Sequence, residues 1–360
     1  MTEIAVPDGA PAGSPPELTV REAAALAGGI LRQGDPRTVI RGAGIDSRTI
    51  VSGMLFVALA GEHDDGHRFA GEAIRRGAAG ALVSREVSGV PQGGVLITVP
   101  ETLPAFQRLA RGMRDRQALR VVGITGSVGK TSTKEMAATV MGRAYRTAQS
   151  PENWNTEIGI PLALVNMPRD REVAILELAM RGPGQIRDLV HICRPEIGVI
   201  TTIGESHMDF FASREDLAAA KGELIEGLPP DGVAIVNADD PLAVSQARRG
   251  PARRLTFGLT AGDVTAEDVE TTGGHGSAFR LRVPGGSSDV ILRVPGRHAV
   301  RNALAAAAVG VVFGLPASEI ARGLALARPL PMRLEVCRTG AVTVLNDVYN
   351  SSPQSVEAAL

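Results

Sequence analysis

Two cysteines, Cys193 and Cys337, in 360 residues are too few for a disulfide framework or a zinc site. They read as small buried hydrophobes in a reducing compartment. The chain also lacks an excess of either charge: 38 Lys and Arg stand against 39 Asp and Glu, a formal net charge of -1. That balance leaves no electrostatic footprint for binding nucleic acid. No apolar run approaches the roughly 18 residues of a membrane span, so no membrane insertion is expected. The opening "MTEIAVPDGAPAGSPPE" has no basic stretch followed by an apolar one, so it does not read as a secretory signal. Rich in Pro, Gly and Ala, residues 1–16 are expected to form a disordered tail. A cytoplasmic protein is the expectation.

Short apolar strands alternate with helical patterns almost throughout, which predicts an α/β fold with mainly parallel sheets. The first block, 17–117, contains "GMLFVALAGE" and ends in the polar helix around "FQRLARGMRDRQ". The second, 118–330, opens on "RVVGIT"; its further strand candidates are 173–178, 197–203 and 233–240. "RPLPMR", 328–333, reads as a linker, because its prolines remove donors and break helices. A third block, 331–360, has room for one strand, in "AVTVLNDVYN", and one helix, "SPQSVEAAL".

Within the second block, "GITGSVGKTSTKEM" (123–136) sets a glycine turn between a buried strand and a helix. That is the context a phosphate-binding loop requires. Gly126 and Gly129 let the backbone amides of Thr125–Ser132, Ser127 and Val128 among them, turn toward phosphate oxygens, aided by the helix dipole. Lys130 can reach the β and γ phosphates, and the Thr131 hydroxyl suits Mg²⁺. The plain alternative is a βα turn with a surface lysine. The common loop would have glycine at 124, which is Ile124, so the spacing marks a variant loop.

Glu177 closes the apolar strand "VAILE" before a Gly/Pro-rich loop, and ligands bind at such carboxyl ends. A carboxylate there can hold the metal that phosphates bring; the alternative is an ordinary loop acid. His207 follows the next strand at its carboxyl end, where a lone histidine is more often structural. The helix "SREDLAAAKGELIEGL" starts with a Ser213 N-cap and Asp216 three residues on, a capping-box pattern. Leu217, Leu224, Ile225 and Leu228 form one apolar stripe, and Lys221 falls in its middle. Either the lysine snorkels to water, or it is partly buried with a lowered pKa and open to chemical modification.

"TGSVGKTSTKEM", "ENWNTEIGIPLAL", "ELAMRGPGQI", "SHMDFFASREDLAAAKGELIEGL", "NADDP", "GRHAVRNALAAAA" and "NDVYNSSPQSVEAAL" follow one another as in the Mur ligases. These are the ATP-dependent amino-acid ligases of peptidoglycan synthesis. "DSRTIVSGMLFVALAGEHDDGHRFAGEAIRRGAAGALV" resembles their UDP-binding domain, and the likeness runs over about residues 40–360. "GKTSTKEM" and "DVYNSSP" are most similar to the members that add D-alanyl-D-alanine to UDP-N-acetylmuramoyl-tripeptide.

The resemblance implies an N-terminal UDP-binding α/β domain, a central P-loop domain and the start of a truncated third, Rossmann-like domain. It implies a monomer that uses ATP to make an acyl phosphate, which the dipeptide amine then attacks. Lys130 would clamp the phosphates. Thr131 and Glu177 would hold one Mg²⁺, and His207 with Lys221 a second, Lys221 being carbamylated by CO₂. Asn302 would contact adenine, Arg333 and Asp347 the nucleotide's phosphates and ribose. Ser47 and Arg48 would meet the uridine nucleotide, and Asn153 and Asn155 the incoming substrate.

Three positions depart from the family pattern: Val128 and Ala299 stand where Asn is usual, and the doubled Asn appears as Asn155-Thr156. The family carries a C-terminal domain of roughly a hundred residues, and the third block covers only its first βα unit. The chain as given is therefore expected to bind nucleotide but to ligate poorly or not at all. Turnover close to that of a longer version would refute this. The alternatives are another Mur-type ligase, a folylpolyglutamate synthase-like ligase, or a non-catalytic nucleotide-binding truncation.

Overall fold

The computed structural model describes residues 15–61, 64–151, 153–205, 208–271, 276–333, 335–339 and 342–349. Most of the expected tail, His207 and the helix expected over 352–360 lie outside these residues. The described chain forms two compact units. One comprises residues up to 119 with 150–171 and 191–193; the other comprises 120–149, 172–190 and 194 onward.

The contiguous blocks expected from composition differ from this at 150–171. The helix Gly159–Val165 is buried along its whole length and packs on the helix Thr102–Asp115. Just after it, Asn166 exchanges two hydrogen bonds with the backbone of Ala43, at 3.0 and 2.9 Å. An apolar helix pinned in this way belongs with the surface that buries it.

The first unit holds a five-stranded sheet in the order Ile30–Gln33, Leu96–Thr98, Gly80–Val83, Leu55–Val57, Ala43–Gly44. Only the first of these pairs is antiparallel. Its first helix, Val20–Ala27, starts on a full capping box: Thr19 accepts from the Glu22 amide, and the Glu22 carboxylate accepts from the Thr19 amide. At the end of Gly80–Val83, buried His67 takes the Ser84 amide on Nε2 at 2.9 Å and faces Asp65 through Nδ1 at 2.7 Å. Arg85 pairs with the same Asp65. Serine, histidine and aspartate stand in line, but Nε2 already accepts a backbone N–H and cannot also take the Ser84 hydroxyl proton. The cluster is a structural bracket.

The second unit is built on nine strands in the order Gly286–Leu292, Ser277–Val283, Val264–Thr271, Arg253–Gly258, Val233–Asn237, Ile197–Ile200, Arg120–Thr125, Val173–Glu177, Thr147–Gln149. All pairs from Val264–Thr271 to Thr147–Gln149 are parallel, and the two pairs before them are antiparallel. The central strands are buried on both faces, which is why they read as unbroken apolar runs. The expected α/β architecture with mostly parallel strands is what the chain adopts. The helix Arg297–Val312 packs against Lys130–Met141 and the sheet; Ala303 to Val309 are wholly buried, and their small side chains permit close approach.

Three strand candidates end early, at Glu177, Ile200 and Asn237, because the residues after them leave the ladder to build loops. The third block differs more. It shows two strands, Glu335–Thr339 and Val342–Asn346, paired antiparallel, where one was expected. Cys193 is buried, its thiol pushed up to about 12 by burial, whereas Cys337 is only partly buried.

Burial holds the His67 imidazole below its ordinary value. The native state therefore binds fewer protons than the unfolded chain, and His67's contribution is complete above the unfolded value of about 6.5. It is lost as pH falls through that value toward the lower folded one. The urea midpoint of the first unit should drop between about pH 7 and 5, and His67→Gln should flatten that drop.

Candidate functional site

The strand Arg120–Thr125 ends in Gly126 at φ 150°, and Gly129 at φ 82° caps the helix Lys130–Met141 with no side-chain cap. Among the described residues no side chain caps the first amides of that helix, an arrangement suited to an anion. Both glycines are also required by space. A Cβ on Gly126 would lie 1.9 Å from Thr201 Oγ1, and one on Gly129 would lie 2.4 Å from Asn302 Oδ1. The loop is thus framed by the residues after strand Ile197–Ile200 and by the helix Arg297–Val312. The Thr125 hydroxyl, wholly buried at the strand end, has no hydrogen-bond partner among the described residues.

Two amines converge on one carbonyl. Lys130 Nζ donates to Gly126 O at 2.8 Å and Ser127 O at 3.1 Å, and Lys221 Nζ donates to Gly126 O at 3.1 Å. Lys221 is 2% exposed, so it does not snorkel. Burial first, and then the nearby charge of Lys130, hold its amine well below the ordinary lysine range. Lys130 is also lowered by burial; Glu177 opposes that shift and Arg333 adds to it. Glu177, 3% exposed, sits at the end of the strand next to the loop's own, in register with Ile124. Lys130, Glu177, Lys221 and Arg333 thus share one electrostatic neighbourhood at the carboxyl edge of the sheet.

The capping box expected at Ser213 is incomplete. Ser213 Oγ accepts from the Asp216 amide, but the Asp216 carboxylate takes the Ser213 hydroxyl at 2.7 Å instead of its backbone N–H. Aspartate is one methylene too short to reach back, whereas Glu22 does so in the first unit. Even so, the helix Arg214–Glu226 carries Lys221 inward.

Not every amide of the loop faces an open space. Ser127 N donates to Thr202 O at 2.8 Å, and the Val128 carbonyl takes the Thr201 hydroxyl at 2.7 Å. Thr131 and Ser132 lie half-buried on the first helical turn. Asn302 stands against Gly129, and the Arg333 guanidinium stacks 4.1 Å from the Tyr349 ring centroid. Asp347 acts on His298, four residues before Asn302: burial lowers the His298 imidazole, and Asp347 opposes that. Thr201, Thr202 and His298 were missed by sequence reasoning.

The remaining expected residues belong to the other unit. Ser47 is buried, and Arg48 is held in a bidentate pair with Asp46 at 3.0 and 2.7 Å. Asn153 is exposed, and Asn155 N donates to its carbonyl at 2.8 Å. His207 lies outside the described residues.

Fold and loop together define an α/β protein with a glycine-framed helix N-terminus of the kind that suits phosphate groups, with buried lysines and a carboxylate beside it. Two family models match: "Mur ligase middle domain" over residues 124–310 and "Mur ligase family, catalytic domain" over 39–110. The chain belongs to the Mur ligase family. It is 39% identical over 326 residues to the UDP-N-acetylmuramoyl-tripeptide–D-alanyl-D-alanine ligase of Bacillus subtilis, covering 90% of this chain and 70% of that one. The Escherichia coli enzyme of the same name is 38% identical, over 88% of this chain and 70% of its own. Among solved structures, MurF from Acinetobacter baumannii superposes with a TM-score of 0.89 at 30% identity, covering 96% of this chain and 76% of that one. A Thermotoga maritima MurF ligase in complex with ADP gives 0.80 at 28% identity, covering 88% and 73%.

Gly129→Ala combines a left-handed backbone with a collision against Asn302, a cost of at least about 1–2 kcal/mol in the loop. The affinity for MgADP should fall by about tenfold or more in calorimetric titration, while the first unit's unfolding stays unchanged.

Proposed function

We propose that the chain joins D-alanyl-D-alanine to UDP-N-acetylmuramoyl-tripeptide, forming an amide bond in peptidoglycan precursor synthesis with ATP as the activating substrate. The observation that carries this is the convergence of Lys130, Lys221 and Glu177 on a glycine-framed helix N-terminus. The chain that holds it is 38–39% identical, over nearly nine-tenths of its length, to ligases of that name.

The chemistry follows from charge. The terminal carboxylate of the UDP-linked peptide must attack the γ-phosphorus of ATP, so two anions have to meet. Lys130 is held on the loop's own carbonyls and needs only a side-chain swing to reach the β and γ phosphates as a point charge. The open amides of the helix Lys130–Met141 take phosphate oxygens without reorganising. The attack breaks the β–γ bridge and releases ADP; the acyl phosphate so formed is attacked by the dipeptide amine, which gives up a proton, and the tetrahedral centre collapses by expelling phosphate. Arg333, beside Lys130, adds a second positive field on the nucleotide side; Asn302 and Asp347 complete that side toward adenine and ribose. Ser47 and Arg48 take the uridine nucleotide, and Asn153 and Asn155 meet the incoming substrate.

The oxygen donors suit magnesium: a buried carboxylate and a hydroxyl on the first helical turn, with a lysine beside them whose amine burial shifts toward its neutral form. Thr131 and Glu177 would hold one ion, and His207 with Lys221 another. Bound there, magnesium supplies neutralisation of the phosphate charge. In its neutral form the Lys221 amine can add CO₂ and lose a proton, exchanging an amine for a carboxylate-like ligand. A cytoplasmic monomer completes the reading; among the described residues no helix is long and apolar enough to cross a membrane.

Phosphate release decides it. Release should require ATP, UDP-N-acetylmuramoyl-tripeptide and D-alanyl-D-alanine together, and Lys130→Ala should lower it by on the order of 100-fold. Release that ignores the dipeptide, or that needs a single amino acid in its place, contradicts the assignment.

A further inference from the structure

We propose that Asp240, absent from the expected site residues, is a positioning residue that sets the phosphate loop for nucleotide; this rests on the nucleotide reading above. Its carboxylate does two jobs with two oxygens. Oδ1 accepts from the amides of Leu242 at 3.0 Å and Ala243 at 3.2 Å, capping the helix Pro241–Gln246. Oδ2 accepts from the Ile203 amide at 2.7 Å and the Thr202 hydroxyl at 3.0 Å. Asp240 can reach them because the strands Val233–Asn237 and Ile197–Ile200 are parallel neighbours, so their carboxyl ends lie side by side.

The loop held by Oδ2 in turn holds the phosphate loop. Thr202 O accepts the Ser127 amide at 2.8 Å, Thr201 Oγ1 donates to Val128 O at 2.7 Å, and Ser127 Oγ donates to Gly204 O at 3.4 Å. There is little slack in this arrangement. Thr201 Oγ1 already occupies the space where any Cβ on Gly126 would fall, 1.9 Å away. Residues 201–204 therefore cannot move toward Gly126, and if they move away they release Ser127 and Val128. Val128 has no side-chain polar group with which to fix its own stretch of loop, so its carbonyl bond to Thr201 matters more.

A helix cap alone would not call for a carboxylate, since asparagine caps about as well as aspartate. Only the second oxygen, aimed away from the helix, needs the acid. Asparagine at 240 could serve the cap or the 201–203 loop through its single oxygen, not both.

The test is calorimetric binding of MgADP to the native chain, Asp240→Asn, Thr202→Val and Ala243→Gly. Asp240→Asn should weaken MgADP by about tenfold, the worth of a charge-assisted hydrogen bond. Thr202→Val, which leaves the cap intact, should weaken it by about threefold with an unchanged melting temperature. Ala243→Gly weakens the same short helix while keeping the backbone amide that Asp240 accepts from, and should bind within about twofold of native. Asp240→Asn and Thr202→Val binding like native, or Ala243→Gly losing affinity as much as Asp240→Asn, overturns the proposal while the nucleotide reading stands. If Asp240→Asn does not fold, Thr202→Val alone decides. A native chain that does not bind MgADP overturns both.

Discussion

Two lysine amines meet at the carbonyl of Gly126, and the rest of the site is arranged around that fact. A buried cation is costly unless it is paired or gives up its proton. Lys130 keeps an opposing carboxylate within reach in Glu177, whereas Lys221 has burial and a like charge against it. The pair is therefore uneven: burial lowers both amines, but only Lys130 has a carboxylate opposing the shift.

The fold supplies this unevenness from three directions. The parallel strands bring Gly126, Glu177 and the 201–204 loop to one edge, because the carboxyl ends of neighbouring parallel strands lie together. The helix Arg214–Glu226 turns one face, with Lys221 on it, into the core. The alanine-rich helix Arg297–Val312 comes close enough to set Asn302 against Gly129. Each contribution is a packing consequence before it is a chemical one.

Much of this was legible in the residues. The strand, the two glycines and Lys130 are local features, and a charge in the middle of an apolar stripe singled out Lys221. Other parts were not. Asp240 caps the helix that begins at Pro241, but its second oxygen reaches a loop 37 residues earlier in the chain, and no local pattern records such a bond. The strand Glu335–Thr339, with Cys, Arg and Thr among its residues, lacks the apolar run that marks the central strands. Residues 150–171 follow the phosphate-loop helix in sequence, yet Asn166 ties them to Ala43, a tertiary choice that composition does not show. Ser213 failed as a full capping box for want of one methylene.

The state of the Lys221 amine is the most direct test of the account. Its titration can be followed by NMR on lysine-labelled protein, with the signal assigned through Lys221→Met. The account predicts a midpoint well below the ordinary lysine value of about 10.4, and a change in that midpoint when MgADP draws Lys130 away from Gly126. An ordinary midpoint that nucleotide leaves unmoved would contradict it.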